Sequence, residues 1–194
     1  MKASVGPSAD RRKLILYVTL AVVAIGLALA IGFASRVPQA ATSTLKGPAP
    51  IKVGQAAPEF AASTTAGPFD LATAQTPVFL EVFATWCPHC QRETKVLDVL
   101  SAKYGKQVSF VAVSGHANGM DGSSPESQAD VIAFAQKFGV TYPIAYDPEL
   151  KVANAYLQTG FPTFVIIKKD KTISYIADGE IPLADLDQAI RKVL

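Results

Sequence analysis

The sequence predicts an α/β domain, in which helices flank a mixed central sheet, behind an N-terminal transmembrane helix. Three observations carry this prediction. Between residues 53 and 194, short apolar runs typical of buried strands alternate with segments of helical periodicity. Near the C-terminus, two such runs are joined by a polar turn at residues 168–171, as in a hairpin. Near the N-terminus, about twenty residues pass without a charge, which is the length of a membrane-spanning helix.

The N-terminal apolar run, residues 14–34, is predicted to be an uncleaved membrane anchor. Its all-round hydrophobicity disfavours a buried core helix. It is also longer than the apolar region of a cleaved signal peptide, which stays the main alternative. Basic residues occupy positions 11–13 and only Arg36 follows the run closely, so the positive-inside rule places residues 1–13 in the cytoplasm and the rest of the chain outside. Residues 35–52, rich in small residues and proline, are predicted to be a flexible linker.

Charge and cysteine content narrow the classes of function. The 18 Lys and Arg residues nearly balance the 16 Asp and Glu residues, so no nucleic-acid partner is indicated. Cys87 and Cys90 are the only cysteines and cannot form the disulfide framework of a small secreted domain. A zinc site needs about four ligands, and the only histidines are His89 and His116. Gln91 stands where a haem-attachment motif requires histidine. We therefore expect no metal and no other cofactor.

The first half of the domain is predicted to contain two buried strands and one helix. Residues 78–83 form an apolar run of the kind that is covered on both faces, and Glu81 is its one charged residue. Apolar residues then recur at helical spacing, which predicts a helix that starts close to Cys87 and stops at Gly105. Residues 108–113 are predicted to be the second strand.

The second half of the domain is predicted to contain three helices and a hairpin. Ser124 is a candidate N-cap with Pro125 at the first helical position, and the apolar periodicity that follows ends at Gly139. The remaining elements, in chain order, are a short helix from residue 147, strands at residues 163–167 and 172–177, and a helix from Pro182. This order of elements favours a mixed sheet with helices on both faces.

The segment Trp-Cys-Pro-His-Cys at residues 86–90 is the candidate active site. A thiol attacks a disulfide only as the thiolate, so such a site must lower the pKa of one cysteine from about 8.5. Cys87 falls at the predicted N-terminus of a helix, where free N–H groups and the helix dipole stabilise an anion, and His89 is placed to favour the thiolate further. Cys90 lies within one turn. We therefore predict that Cys87 attacks and Cys90 resolves, against the alternative of two cysteines that merely pack.

Residues 53–194 resemble the thioredoxin fold and, more narrowly, its TlpA/ResA-type branch. That branch opens with a Gly-x-x-Ala-Pro-x-Phe segment, which Gly54, Ala57, Pro58 and Phe60 match. It also carries a helical insertion in mid-domain, which the predicted helix after Ser124 would supply.

The resemblance implies roles for two acids. Thioredoxins have an acid six residues before the first cysteine, so Glu81 is expected to exchange a proton with Cys90. Because a buried carboxylate is costly unless it is paired or neutral, the alternative is that Glu81 points outward from the strand. Glu93 corresponds to a glutamate often found near the site in the ResA-like branch, and the alternative is a solvated surface acid.

The resemblance also implies a substrate-docking loop beside the cysteines. In this fold the proline of Phe161-Pro162-Thr163 is cis and its loop binds the substrate backbone. Trp86 is expected to cover the edge of the site. His116 lies in the loop after a predicted strand and is interpreted as a surface residue.

The function implied by the resemblance is that of a reductase with a redox-active Cys87–Cys90 disulfide. Such an enzyme takes electrons from a membrane partner and passes them to exported proteins, apocytochrome c among them. The dipeptide Pro88-His89 instead favours an oxidase, because it is typical of the oxidising DsbA type. The direction of electron flow therefore stays open. Two alternatives are less favoured. One is a thiol peroxidase, in which Thr or Ser would stand at the position of Ala84, and the other is a non-catalytic binding module.

Overall fold

The computed structural model describes residues 13, 14, 16–22 and 50–194, and the chain divides into the units Met1–Lys46 and Gly47–Leu194. In the first unit, the described residues are helical and exposed. Among the described residues, no helix combines the length and the hydropathy that crossing a membrane requires. Most of the predicted anchor, residues 14–34, and most of the predicted linker, residues 35–52, lie outside the described part of the chain.

The second unit is an α/β domain, as the sequence predicts. Its elements in chain order are β1 (Ala61–Thr64), β2 (Gly67–Asp70), β3 (Val78–Phe83), α1 (Pro88–Tyr104), β4 (Ser109–Ser114), α2 (Gln128–Phe138), β5 (Ile144–Tyr146), α3 (Lys151–Tyr156), β6 (Thr163–Ile167), β7 (Ile173–Asp178) and α4 (Leu183–Arg191).

The seven strands form one mixed sheet in the order β2-β1-β5-β4-β3-β6-β7. Strand β4 is parallel to both β3 and β5, whereas β6 runs antiparallel to β3 and β7. The β3–β6 register pairs Val82 with Thr163. The C-terminal end of β3, which leads into the cysteines, therefore lies beside the N-terminal end of β6, which follows Pro162. The sheet thus brings together two segments that are far apart in sequence.

The apolar core has two layers, one on each face of the sheet. Because side chains alternate along a strand, β3 contributes Phe79 and Phe83 to one layer and Val78, Leu80 and Val82 to the other. The phenylalanine layer also contains both cysteines and the buried side chains of α1, α2 and α4. The other layer is covered by α3. Glu81 is two residues from both Phe79 and Phe83, so it lies on the same face of β3 as they do. This predicts that Glu81 lies in the layer that contains the cysteines.

The start of α2 corrects one sequence prediction. The helix begins at Gln128 rather than after Ser124, because Ser127 is its N-cap. Ser127 accepts a hydrogen bond from the Asp130 N–H, and the Asp130 carboxylate accepts one from the Ser127 N–H, which is a capping box. Ser124 instead donates its hydroxyl hydrogen to Asp121 over 2.6 Å. Both serines are good N-caps by type, and the pairing with Asp130 decides between them.

Three short strands, β1, β2 and β5, were absent from the sequence prediction. Each has only three or four residues. Strands β1 and β2 are half exposed and contain glycine, proline or alanine, which have low strand propensity. Their pairing is determined by tertiary contacts rather than by local pattern.

A buried carboxylate, Asp187, ties α4 to α1. It accepts hydrogen bonds from the Tyr104 hydroxyl over 2.7 Å and from Lys103 Nζ over 2.5 Å, and it pairs with Arg191. Tyr104 is itself buried, so loss of the acceptor would leave its hydroxyl without a partner.

We expect Asp187→Ala to lower the free energy of unfolding by about 2 kcal/mol, because a buried hydroxyl and two cations lose their acceptor. Urea unfolding of the purified chain measures this change. The matched control is Asp185→Ala, which removes an exposed acid from the same helix and should cost about 0.5 kcal/mol or less. Equal losses in the two variants would contradict the assigned role of Asp187.

Candidate active site

The cysteine pair lies at the connection from β3 to α1. Cys87 is the N-cap of α1, with φ −76° and ψ 119°, and Pro88 takes the first helical position, where its missing N–H costs nothing. The Cys87 N–H donates to the Ala84 carbonyl over 3.0 Å, and the Cys87 carbonyl accepts from the Gln91 N–H over 3.1 Å. The turn therefore holds the Cys87 thiol at the first turn of the helix. Both cysteines are buried and free.

Cys87 is the thiolate of the pair. Its pKa is lowered to about 6, chiefly by a hydrogen bond from the Cys90 thiol, with smaller contributions from the N–H groups of Cys90 and His89 and from the His89 charge. Burial of Cys87 opposes this shift. The thiolate therefore predominates at neutral pH, as nucleophilic attack on a disulfide requires.

Cys90 remains a thiol. It is fully buried one turn into the helix, and burial is the main reason that its pKa is raised, followed by the hydrogen bond to Cys87 and the negative charge of Glu81. The opposite shifts fit the predicted assignment of Cys87 as the attacking and Cys90 as the resolving cysteine.

Glu81 lies beneath the cysteines and is 3% exposed. Its pKa is raised well above the ordinary value, first by burial and then by the charges of Glu93 and Cys87, while a hydrogen bond from Tyr142 opposes the rise. The alternative that Glu81 points outward from the strand is therefore wrong. Tyr142 was not identified from the sequence, because it belongs to the loop before β5 and reaches Glu81 only through the fold.

Glu93 is a second buried acid, also 3% exposed. It follows Cys90 by three residues, so the two share the buried face of α1. Its Oε1 accepts a hydrogen bond from the Ile181 N–H over 3.1 Å, and its Oε2 is buried without a hydrogen-bond partner among the described residues. Burial is the main reason that its pKa is raised to about 7. The alternative of a solvated surface acid is wrong.

The loop before β6 lies against the reactive thiol. The Phe161–Pro162 peptide is cis, as the resemblance implies, and the Phe161 carbonyl oxygen is 3.7 Å from Cys87 Sγ. The Pro162 carbonyl accepts from the Gly179 N–H over 2.8 Å. The Thr163 hydroxyl lies 2.5 Å from an Asp178 carboxylate oxygen. The end of β7 therefore anchors this loop.

Three rings, which we call the aromatic wall, stand beside Cys87: Trp86, His116 and Phe161. Their centroids are 5.0 to 6.2 Å apart and every pair meets edge to face. His116 Nδ1 accepts hydrogen bonds from Trp86 Nε1 and from the Asn118 N–H, both over 3.0 Å. His116 is therefore a half-buried part of the site, and its interpretation as a surface residue is wrong. Its position in a polar loop gave no local signal of this packing.

A further buried acid, Glu126, connects the segment before α2 to the loop between β3 and α1. It accepts hydrogen bonds from the Thr85 hydroxyl over 2.8 Å and from the Ser114 hydroxyl over 2.5 Å. Thr85 lies between the end of β3 and the cysteines. Glu126 therefore supports the loop from which Trp86 projects, a role that sequence reasoning did not identify.

The exposed rim of the site carries an ionic cluster of His89, Arg92 and Glu180. Glu180 Oε1 lies 2.5 Å from His89 Nδ1 and accepts a hydrogen bond from Arg92 Nε over 3.0 Å. Glu180 was not identified from the sequence, because it lies 90 residues after Cys90. In the described part of the chain, no group of three or more His, Cys, Asp or Glu residues is arranged to bind a metal ion.

Comparison with known proteins agrees with this geometry. The redoxin family profile matches residues 52–190. The thiol-disulfide oxidoreductase ResA of Geobacillus thermodenitrificans is 32% identical over 146 residues, which cover 74% of this chain and 79% of that protein. The thioredoxin-like protein YneN of Bacillus subtilis is 31% identical over 143 residues, covering 72% and 79% of the two chains.

A solved structure shows the same fold. The putative thiol:disulfide interchange protein DsbE of Chlorobium tepidum superposes with a TM-score of 0.64 at 24% identity, over 74% of this chain and 98% of that one. The redoxin profile covers a thioredoxin-like domain with a buried Cys-x-x-Cys pair, in which one cysteine pKa is lowered and the other is raised. This is the arrangement of a protein-disulfide oxidoreductase. The chain belongs to the redoxin family and is a TlpA/ResA-like thiol–disulfide oxidoreductase of the thioredoxin superfamily.

Proposed function

We propose that the protein is a reductase anchored by its N-terminal segment, with its catalytic domain outside the cytoplasm. It would take electrons from a membrane partner and pass them to the disulfides of exported proteins, apocytochrome c among them. The observation that carries the reductase assignment is the pair of buried acids, Glu81 and Glu93, around the cysteines. Negative charge on these acids destabilises a thiolate nearby, which favours the disulfide and makes the couple a stronger reductant.

The first step is attack by the Cys87 thiolate on a substrate disulfide. A bond forms between Cys87 Sγ and one substrate sulfur, and the other substrate sulfur leaves as a thiolate that takes a proton. The negative charge of Cys87, which helps to raise the pKa of Glu81, disappears in this mixed disulfide. Glu81 then ionises more readily at the moment when Cys90 must lose its proton.

The second step releases the substrate. Glu81, as the carboxylate, takes the proton of Cys90, and the Cys90 thiolate attacks Cys87 Sγ. The Cys87–Cys90 disulfide forms, the second substrate sulfur leaves and is protonated, and two electrons have passed to the substrate. The electron partner then restores the dithiol. The cis-proline loop and the aromatic wall flank Cys87, and we place the substrate backbone between them.

One observation favours the alternative of a DsbA-like oxidase. The His89 N–H and charge both lower the pKa of Cys87, and a stabilised thiolate makes the disulfide more oxidising. The two functions differ in the reduction potential of the Cys87–Cys90 couple.

We expect the full chain to show a potential between those of thioredoxin and DsbA, about −270 to −120 mV. The Cys87 thiolate stabilises the reduced form while the buried acids oppose it, so neither extreme is expected. Equilibration with glutathione buffers measures the potential, and Cys87→Ser, which has no couple, gives the baseline. A value near the oxidising end would favour the oxidase and contradict the reductase.

We expect Cys87→Ser to lose insulin-reduction activity, whereas Cys90→Ala should still attack substrates and retain them as mixed disulfides, because nothing resolves the bond. In the native cell, purification of Cys90→Ala under thiol-blocking conditions should yield exported proteins in disulfide linkage. The matched control, the double variant Cys87→Ser/Cys90→Ala, should yield none. An inactive wild type, or the capture of cytoplasmic proteins alone, would refute the proposed function.

We expect alkylation of reduced Cys87 to be half-maximal at a pH of about 6, because only the thiolate reacts. The folded pKa lies below that of an unfolded thiol, so ionisation stabilises the reduced protein at alkaline pH, and this stabilisation is lost as the pH falls through about 6. Rates of iodoacetamide labelling across pH measure the pKa. In Cys90→Ala the main stabilising hydrogen bond is gone, so the midpoint should move up towards the ordinary thiol value. Equal midpoints in the two proteins would rule out that hydrogen bond as the main cause.

A further inference from the structure

The four residues from Asp178, the last residue of β7, to Ile181, before α4, contact both the cis-proline loop and α1. Asp178 and Gly179 bind the cis-proline loop, as described above. The Ile181 N–H donates to Glu93, and the Glu180 side chain reaches the ionic cluster at the rim. Of these four residues, only Glu180 brings a charged side chain into contact with His89, which lies between the two cysteines.

The cluster places one carboxylate against both the His89 ring and the Arg92 guanidinium. Glu180 Oε1 lies 2.5 Å from His89 Nδ1 and accepts hydrogen bonds from both Nε and Nη2 of Arg92. Arg92 Nη2 also lies 2.9 Å from His89 Nδ1. Hydrogen bonds from Arg92 and His89 lower the pKa of Glu180 to about 2, so the carboxylate is charged throughout the neutral range.

Both His89 and Arg92 interact with the Cys87 thiolate. The charge of His89 lowers the pKa of Cys87, and the charge of Cys87 in turn helps to raise the pKa of Arg92. Without Glu180, these charges would stabilise the thiolate, and hence the reduced protein, more strongly. Glu180 Oε1 lies 2.5 Å from His89 Nδ1 and 3.0 Å from Arg92 Nε, so its negative charge compensates positive charge on both side chains.

We propose that Glu180 is a positioning residue that neutralises His89 and Arg92 and thereby keeps the Cys87–Cys90 couple more reducing than the Pro-His dipeptide alone would make it. This inference deepens the proposed function and rests on it for its biological meaning. It accounts for a reductase that carries a dipeptide typical of oxidases. The change in potential is a property of the couple and is measured without any protein substrate.

The charged and titratable groups around the thiolate come from three elements. Glu81 from β3 and His89, Cys90 and Arg92 from α1 interact with the Cys87 thiolate itself. Glu93 from α1 and Glu180 from the segment before α4 interact with Arg92. Replacing Glu180 with glutamine removes one negative charge from the cluster. Arg92 stays protonated. The fixed charge of Arg92 is then no longer compensated.

We expect Glu180→Gln to make the potential less negative. Two glutathione thiols reduce the Cys87–Cys90 disulfide and become glutathione disulfide, and the equilibrium constant of this reaction should increase about fivefold. At about 30 mV for a tenfold change in a two-electron couple, this is about 20 mV. The pKa of Cys87 should fall in the same variant. Glutathione equilibration and thiolate absorbance in the purified full chain measure the two effects.

Two further variants separate compensation of charge from a structural effect. Arg92→Gln should shift the potential in the opposite direction, and Arg92→Gln/Glu180→Gln should return it towards the wild-type value. The matched control is Glu149→Gln, which removes an exposed carboxylate that is paired with Lys151 on the surface and should leave the potential unchanged. The difference between Glu180→Gln and wild type should also shrink at high ionic strength, because exposed charges are screened.

An unchanged or more negative potential in Glu180→Gln, or a shift that salt does not reduce, would overturn the inference. These outcomes are distinct from failure of the proposed function. A wild type that equilibrates with glutathione but reduces no protein disulfide would refute the proposed function, while the comparison of potentials would still judge the role of Glu180.

Discussion

The negative charge on Cys87 is the constraint on which the rest of the active site depends. A buried thiolate persists only where hydrogen bonds replace the water that it has lost. Here the first turn of α1 and the Cys90 thiol supply those hydrogen bonds. Pro88 at the first helical position and the turn closed by Ala84 keep Cys87 in that place. The chemistry therefore begins with the backbone geometry of one strand-to-helix connection.

The acids around the pair respond to that charge. Glu81 and Glu93 are buried on the same side of the sheet, and each raises the free energy of further negative charge nearby. A thiolate on Cys87 and a carboxylate on Glu81 therefore disfavour each other, which links the proton of Glu81 to the state of the sulfur. In the proposed mechanism, this reciprocity would give the two steps of disulfide exchange their order.

Local sequence patterns predicted the parts of the structure that local interactions determine. The central strands β3 and β6 and the start of α1 at Cys87 follow from apolar runs and from the preferences of helix termini. Tyr142, His116 and Glu180 were not identified as site residues, because tertiary packing alone brings them to the cysteines. The three short strands β1, β2 and β5 were not predicted for the same reason. The resemblance to a known family supplied the cis-proline loop and the role of Glu81, which the residue pattern by itself left open.

The pairing of strands also distributes rigidity unevenly across the sheet. The hairpin of β1 and β2 joins the remaining strands through a single residue pair, Thr64 with Ala145, whereas β3 is paired along its length on both sides. Opening of the hairpin would thus break few backbone hydrogen bonds and would leave the two strands that position the thiols untouched. The β1–β2 hairpin can therefore open locally while the contact between Cys87 and the cis-proline loop stays intact.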